Sequence, residues 1–283
     1  MEAAKDLFFP GTTGKLAVKL WRDTGKRVLA LHGWLDNAAT FDGLAPLLKN
    51  CQIAALDLPG HGLSDHRPAG TTYHFIDAIP DIVSVTSALG WETFHVLGHS
   101  LGGSIALCFA GILPKAVETL VVVESLGPFT SEAEEFPQRV ANYLEELKTL
   151  SEKKMPVYAS AEEAATSRQK AGDLTQASAL VLASRGLKKV DQGYTWRSDP
   201  RLKLSSLHRL TEEQLRACLK RIEAPTLFIR ASSGPQYPGE LAKSRLQCIR
   251  NLQTKEIPGR HHVHLDSPET VAPLLIGWYG SIR

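Results

Sequence analysis

A serine set among glycines, in Gly98-His99-Ser100-Leu101-Gly102-Gly103, stands between an apolar run ending at Leu97 and a helix-like stretch beginning at Leu101. On a tight strand-to-helix turn a serine hydroxyl projects above the sheet, and the flanking glycines remove side chains that would clash across the turn. The helix start behind it adds free backbone N–H groups and positive potential. That arrangement suits attack on a carbonyl; the plainer alternative is a glycine-rich helix start needed only for packing. A serine hydroxyl is a weak nucleophile until a base removes its proton. Of the ten histidines, His261, His262 and His264 lie together in Pro258-Gly259-Arg260-His261-His262-Val263-His264-Leu265-Asp266, on a loop that can lean over the turn bearing Ser100. Acyl transfer also needs donors aimed at the developing oxyanion, and the N–H of Leu101, next after the serine, is one candidate.

These strings resemble those of the α/β-hydrolase family. In that family the catalytic histidine commonly lies three residues before a second one in a His-x-x-His-Leu-acid string, which implies His261 as the base, His262 as its rival and His264 as a packing residue. Most members place the triad acid just after the strand that follows the cap. Here that stretch, Phe228-Ile229-Arg230-Ala231-Ser232-Ser233-Gly234-Pro235-Gln236, holds no acid before Glu240. One strand earlier Val121-Val122-Val123 runs into Glu124, a position that a minority of the family uses, and the order Ser100, Glu124, His261 is the family's. Glu124 is therefore the expected acid, with Glu240, or no functional acid and Glu124 only anchoring a loop, as alternatives. The loop Leu31-His32-Gly33-Trp34 implies the Trp34 N–H as second oxyanion donor, its indole either walling the pocket or packing as an ordinary core aromatic. His32, Asp57 and His61 are expected to hydrogen-bond loops at strand ends.

A serine nucleophile excludes the epoxide hydrolase and haloalkane dehalogenase branches, which use aspartate. The combination of Leu31-His32-Gly33-Trp34-Leu35-Asp36-Asn37 with the elbow and the strings Arg185-Gly186-Leu187 and Tyr194-Thr195-Trp196-Arg197-Ser198-Asp199-Pro200-Arg201-Leu202 is similar to the serine hydrolase-like group of esterases. The resemblance implies ping-pong hydrolysis of small or medium acyl esters, with no metal or cofactor required. Alternatives are a ligand receptor on the same scaffold, a degenerate structural homologue, and a hydrolase of esters or thioesters borne on an acidic carrier protein. The last rests on Arg185, Lys188, Lys189, Arg197, Arg201, Lys203 and Arg209 outnumbering Asp191 and Asp199 locally, against the plainer reading of a solvated face balanced by acids between Glu132 and Glu146.

The elements that must position these residues follow from the apolar pattern. Leu16–Trp21, Arg27–Leu31, Ile53–Leu56, Phe94–Leu97, Thr119–Val123, Thr226–Arg230 and Thr254–Ile257 read as strands, alternating with helices over about Ile76–Leu89, Leu101–Leu113 and after Ser267-Pro268-Glu269. This is an α/β pattern with a mostly parallel central sheet and flanking helices. From about 128 to 221 it changes to charged helical stretches, Glu132–Leu150 and Ala161–Leu187, with no clear buried strand. The expected organisation is a core of 1–127 and 222–283 with an inserted helical cap of 128–221.

Composition bounds the rest. The 283 residues, 43% hydrophobic, can bury a full core, and 32 basic against 30 acidic side chains leave +2, which argues against disorder and gives no footprint for nucleic acid. Cys51, Cys108, Cys218 and Cys248 lack paired spacing for zinc or redox chemistry. No apolar run spans a membrane, Met1-Glu2-Ala3 begins no leader pattern, and Ser281-Ile282-Arg283 lacks the Leu of a peroxisomal tripeptide, so a cytoplasmic location is expected.

Overall fold

The computed structural model describes residues 4–150 and 155–281; Met1–Ala3 and Ile282–Arg283, which enter the two terminal readings above, lie outside them. In chain order the strands and helices are β1 (Lys5–Pro10), β2 (Lys15–Trp21), β3 (Lys26–Leu31), β4 (Cys51–Leu56), α1 (Ala78–Ala88), β5 (Phe94–His99), α2 (Leu101–Ile112) and β6 (Val117–Val123). There follow α3 (Phe136–Leu150), α4 (Ala161–Ala171), α5 (Gln176–Gly186), β7 (Leu187–Val190), β8 (Gly193–Trp196) and α6 (Glu212–Lys220). The chain closes with β9 (Thr226–Ala231), α7 (Gly239–Leu246), β10 (Leu252–Ile257), α8 (Val263–Asp266) and α9 (Pro268–Ser281).

One eight-stranded sheet runs β1-β2-β4-β3-β5-β6-β9-β10. The β1–β2 and β2–β4 pairs are antiparallel and the other pairs parallel. The central strands are covered on both faces, which is why they read as unbroken apolar runs. Alternation still sorts their side chains. Leu29, Leu31, Leu120 and Val122 face a layer with α1, α2 and α6, whereas Val28, Ala30, Val121 and Val123 face the opposite layer with α9. Each fully buried Leu or Phe in these layers, such as Leu29 and Phe109, contributes about 1.5–3 kcal/mol. Among the described residues no helix is long and apolar enough to cross a membrane.

The segment between β6 and β9 differs from its sequence reading in three ways. Ala161–Leu187 is not one stretch but α4 and α5, each started by a side-chain cap: Ser160 accepts from the Glu163 N–H and Thr175 from the Ser178 N–H. The insert also contains an antiparallel hairpin, β7–β8, where only helices were expected. Finally, α6 falls inside the expected 128–221 insert, yet its Leu215 and Leu219 pack in the same core layer as α2. Its start is fixed by a reciprocal capping box between Thr211 and Gln214. The strand β1 was not expected at all, because it is an edge strand with an exposed pattern.

Candidate active site

Ser100 sits between β5 and α2 with φ 51° and ψ −113°, a conformation L-residues rarely adopt. Its surroundings hold it there. The Ser100 N–H donates to the Val123 carbonyl at 3.0 Å, and the Gly102 N–H donates to the His32 carbonyl at 3.0 Å. A Cβ on Gly102 would collide with the Leu31 carbonyl, and one on Gly98 would meet the backbone of Gly102, so helix and strand approach closely only because these positions lack side chains.

His261 lies on the loop after β10, with Nε2 2.9 Å from the Ser100 hydroxyl oxygen and Nδ1 3.4 Å from Glu124 Oε2. Glu124 follows β6 directly, with φ 57°, and is 3% exposed. Its N–H donates to the Ile229 carbonyl at 2.9 Å and its Oε1 accepts from the Ala231 N–H at 2.5 Å, which aims Oε2 at the histidine. The expected acid is thus within reach of the expected base, which is within reach of the expected nucleophile. Glu240 stands exposed in the first turn of α7. Sequence reading missed Gly234: a Cβ there would run into the Glu124 carboxylate.

The rival histidine points elsewhere. His262 Nδ1–H donates to the Asp173 carbonyl at 3.0 Å, and Nε2 lies 3.2 Å from Asp36 Oδ2. Burial alone would lower its pKa; the Asp36 carboxylate outweighs that and raises it. Asp36 Oδ1 accepts from Arg168 of α4 at 2.9 Å, tying the insert to the same node. His99 Nε2–H donates to the His261 carbonyl at 2.9 Å. His264 is fully buried against the His99 ring and bonds Thr40, matching its expected packing role.

His32, His61 and Asp57 organise the loops. His32 donates from Nδ1 to the Gly33 carbonyl and accepts from the Leu58 N–H, while His61 donates to the Pro59 carbonyl and accepts from the Leu35 N–H. Burial lowers their pKa values to about 4 and about 3, so both are neutral at pH 7. Asp57 accepts from the Ala38 and Leu63 N–H groups and from Arg185. Arg185 also pairs with Asp6, and Arg201 binds Asp199 and loop carbonyls, so two of the basic residues counted in the insert spend their charge on internal partners.

Trp34 precedes Leu35, which has φ 59°, and its indole N–H donates to the Leu202 carbonyl at 2.9 Å. The half-exposed ring lies between two cavities. One, of about 140 Å³, is lined by Leu58, Phe75, Leu101 and Ile105 among others. The second, of about 320 Å³, lies under the insert against Tyr158, Arg168 and Trp196. As the first residue of α2, Leu101 has an N–H with no intrahelical acceptor.

A family model for the alpha/beta hydrolase fold matches residues 26–268. The chain is 34% identical over 277 residues to a probable serine hydrolase of Drosophila melanogaster, covering 93% of this chain and 84% of that one. It is 32% identical over 289 residues to a serine hydrolase-like protein of Danio rerio, covering 96% and 87%. The crystal structure of a hypothetical protein from Pseudomonas aeruginosa PAO1 superposes with a TM-score of 0.93 at 37% identity, covering 98% of this chain and 99% of that one.

Proposed function

The chain belongs to the alpha/beta hydrolase fold family, and from that premise we propose that it is a serine esterase cleaving carboxylic esters of small or medium acyl groups through an acyl-enzyme. The observation that carries this reading is the line of contacts from Ser100 Oγ to His261 Nε2 at 2.9 Å and from His261 Nδ1 to Glu124 Oε2 at 3.4 Å. His261 takes the Ser100 proton as the hydroxyl attacks the carbonyl, and Glu124 stabilises the imidazolium without taking the proton itself. The N–H groups of Trp34 and Leu101 hold the oxyanion. His261 then protonates the leaving alcohol, and water repeats the sequence on the acyl-enzyme.

The insert acts as a cap, and the cavities on either side of Trp34 hold the two halves of the ester. The internal pairing of Arg185 and Arg201 favours a small free substrate over one borne on an acidic carrier. Turnover of p-nitrophenyl esters of increasing acyl length tests the proposal. Sustained hydrolysis with an initial burst of one equivalent supports it; a single slow turnover accompanied by cap rearrangement points to a receptor instead.

A further inference from the structure

We propose that Asp36, His99 and His262 form a binding site for one divalent transition-metal ion of the zinc class, directly behind the Ser100–His261 pair. The three are 3%, 1% and 5% exposed, and Asp36 Oδ2, His99 Nδ1 and His262 Nε2 all lie within 4.8 Å of one another. They come from three separate loops and strand ends, so no motif spacing announces them.

The decisive feature is the orientation of both rings. A carbonyl only accepts, so the bond from His99 Nε2 to the His261 carbonyl fixes the proton on Nε2 and leaves Nδ1 with a lone pair. That Nδ1 is buried, has no hydrogen-bond partner, and stands 3.8 Å from Asp36 Oδ2, itself an acceptor. Both atoms accept, so Nδ1 is left unsatisfied beside a carboxylate oxygen, and a cation between the two would satisfy it. His262 is held in the same way, its Nδ1–H on the Asp173 carbonyl and its Nε2 toward Asp36 Oδ2 at 3.2 Å. Ring N–H groups anchored on backbone carbonyls are the usual outer support of histidines that bind metal. Arg168 completes that support by engaging Asp36 Oδ1, so that Oδ2 is the oxygen turned toward both imidazoles.

The dimensions fit zinc. Bonds of about 2.0–2.2 Å meeting at a tetrahedral angle set ligand atoms roughly 3.3–3.6 Å apart, so the 3.8 Å separation of His99 Nδ1 and Asp36 Oδ2 closes by a few tenths of an ångström. His262 Nε2, 3.2 Å from Asp36 Oδ2 and within 4.8 Å of His99 Nδ1, completes the set by turning toward His99. Coordination replaces the proton that His262 Nε2 shares with Asp36, and that proton leaves to solvent. Two imidazoles and a carboxylate leave a fourth position for water. Binding stands independently of the proposed esterase reaction. Its consequence does rest on that reading: His99 and His262 adjoin Ser100 and His261 in the chain, so an ion drawing them together displaces the base and inhibits hydrolysis.

Titration of the full-length protein with Co²⁺, followed by visible absorption and by competition with Zn²⁺, tests the site. One equivalent should bind, with X-ray absorption of the zinc form giving two imidazoles and one carboxylate. His262→Gln and Asp36→Asn should each weaken binding at least tenfold, while His261→Ala retains it. If Asp36→Asn does not fold, His262→Gln and the wild-type absorption data decide. Loss of binding in His261→Ala alone, unchanged binding in His262→Gln, or no stoichiometric ion at micromolar metal would overturn the proposal. Stoichiometric binding without inhibition would keep the site and refute its coupling to the reaction.

Discussion

The carboxylate of Glu124 occupies the space into which a Cβ on Gly234 would point. The two residues follow neighbouring parallel strands, so an acid supplied after β6 reaches His261 only because the loop after β9 leaves room. Gly234→Ala is therefore expected to lower kcat at least tenfold with little change in KM, by pushing Glu124 off the histidine. Glu124→Gln should cost about 10⁴-fold, as loss of a triad acid does elsewhere, and Glu240→Gln less than twofold. Steady-state kinetics on one activated ester checks all three. The reverse ranking of the two glutamates would move the acid to α7.

Strain at Ser100 gives a stability prediction separate from activity. Its φ of 51° and ψ of −113° suit glycine far better than any L-residue, and such strain amounts to about 1–3 kcal/mol. Ser100→Ala and Ser100→Gly should both be inactive. In thermal unfolding, however, the glycine variant should melt a few degrees above the alanine variant, the net of strain relief and added chain entropy. Equal melting temperatures would mean that the strain relieved at the elbow is no larger than the chain entropy glycine adds.

Trp34 separates the two cavities, fastened by its indole N–H to the Leu202 carbonyl. Trp34→Ala should merge them while sparing the backbone N–H at this position. The expected outcome is a shift of the best acyl chain to greater length in a p-nitrophenyl ester series, with kcat on the shortest ester lowered less than tenfold. An unchanged chain-length profile would show that neither cavity takes the acyl group.

Buried neutral histidines set the acid limit. His32 and His61 titrate at about 4 and about 3 in the folded protein, because burial disfavours the imidazolium, against about 6.5 in the unfolded chain. Below pH ~6.5 the unfolded state binds more protons, so stability present above that pH is lost as it falls, at about 1.4 kcal/mol per pH unit for each histidine. His262, whose pKa is raised, acts in the window above: its contribution is fully present below ~6.5 and is lost as pH rises through its higher folded value. Urea denaturation should show stability declining as pH falls below ~6.5, the decline shallower in His61→Gln. Constant stability down to pH 4.5 would show that these rings are not held neutral.

The sequence made the centre of this molecule legible and left its edges obscure, for physical reasons. The strands β3 to β6 are buried on both faces and so appear as plain apolar runs; β1 and most of β10 lie at sheet edges and carry exposed polar residues. The elbow is a local feature written in adjacent glycines. By contrast, the hydrogen bonds from Ala231 to Glu124 and from Arg168 to Asp36 join residues 107 and 132 positions apart, and no local pattern encodes them. The helix α6 resembles its neighbours in the insert by composition, and only its packing on α2 assigns Leu215 to the core layer.

Covalent trapping tests the acyl-enzyme most directly. Incubation with a fluorophosphonate should add one probe mass per chain, located by peptide mass spectrometry on Ser100, and Ser100→Ala should take up none. Labelling should fall steeply in His261→Ala, since the attacking oxygen needs its base at 2.9 Å. A probe found on another residue, or sustained ester hydrolysis by folded Ser100→Ala, would contradict the account.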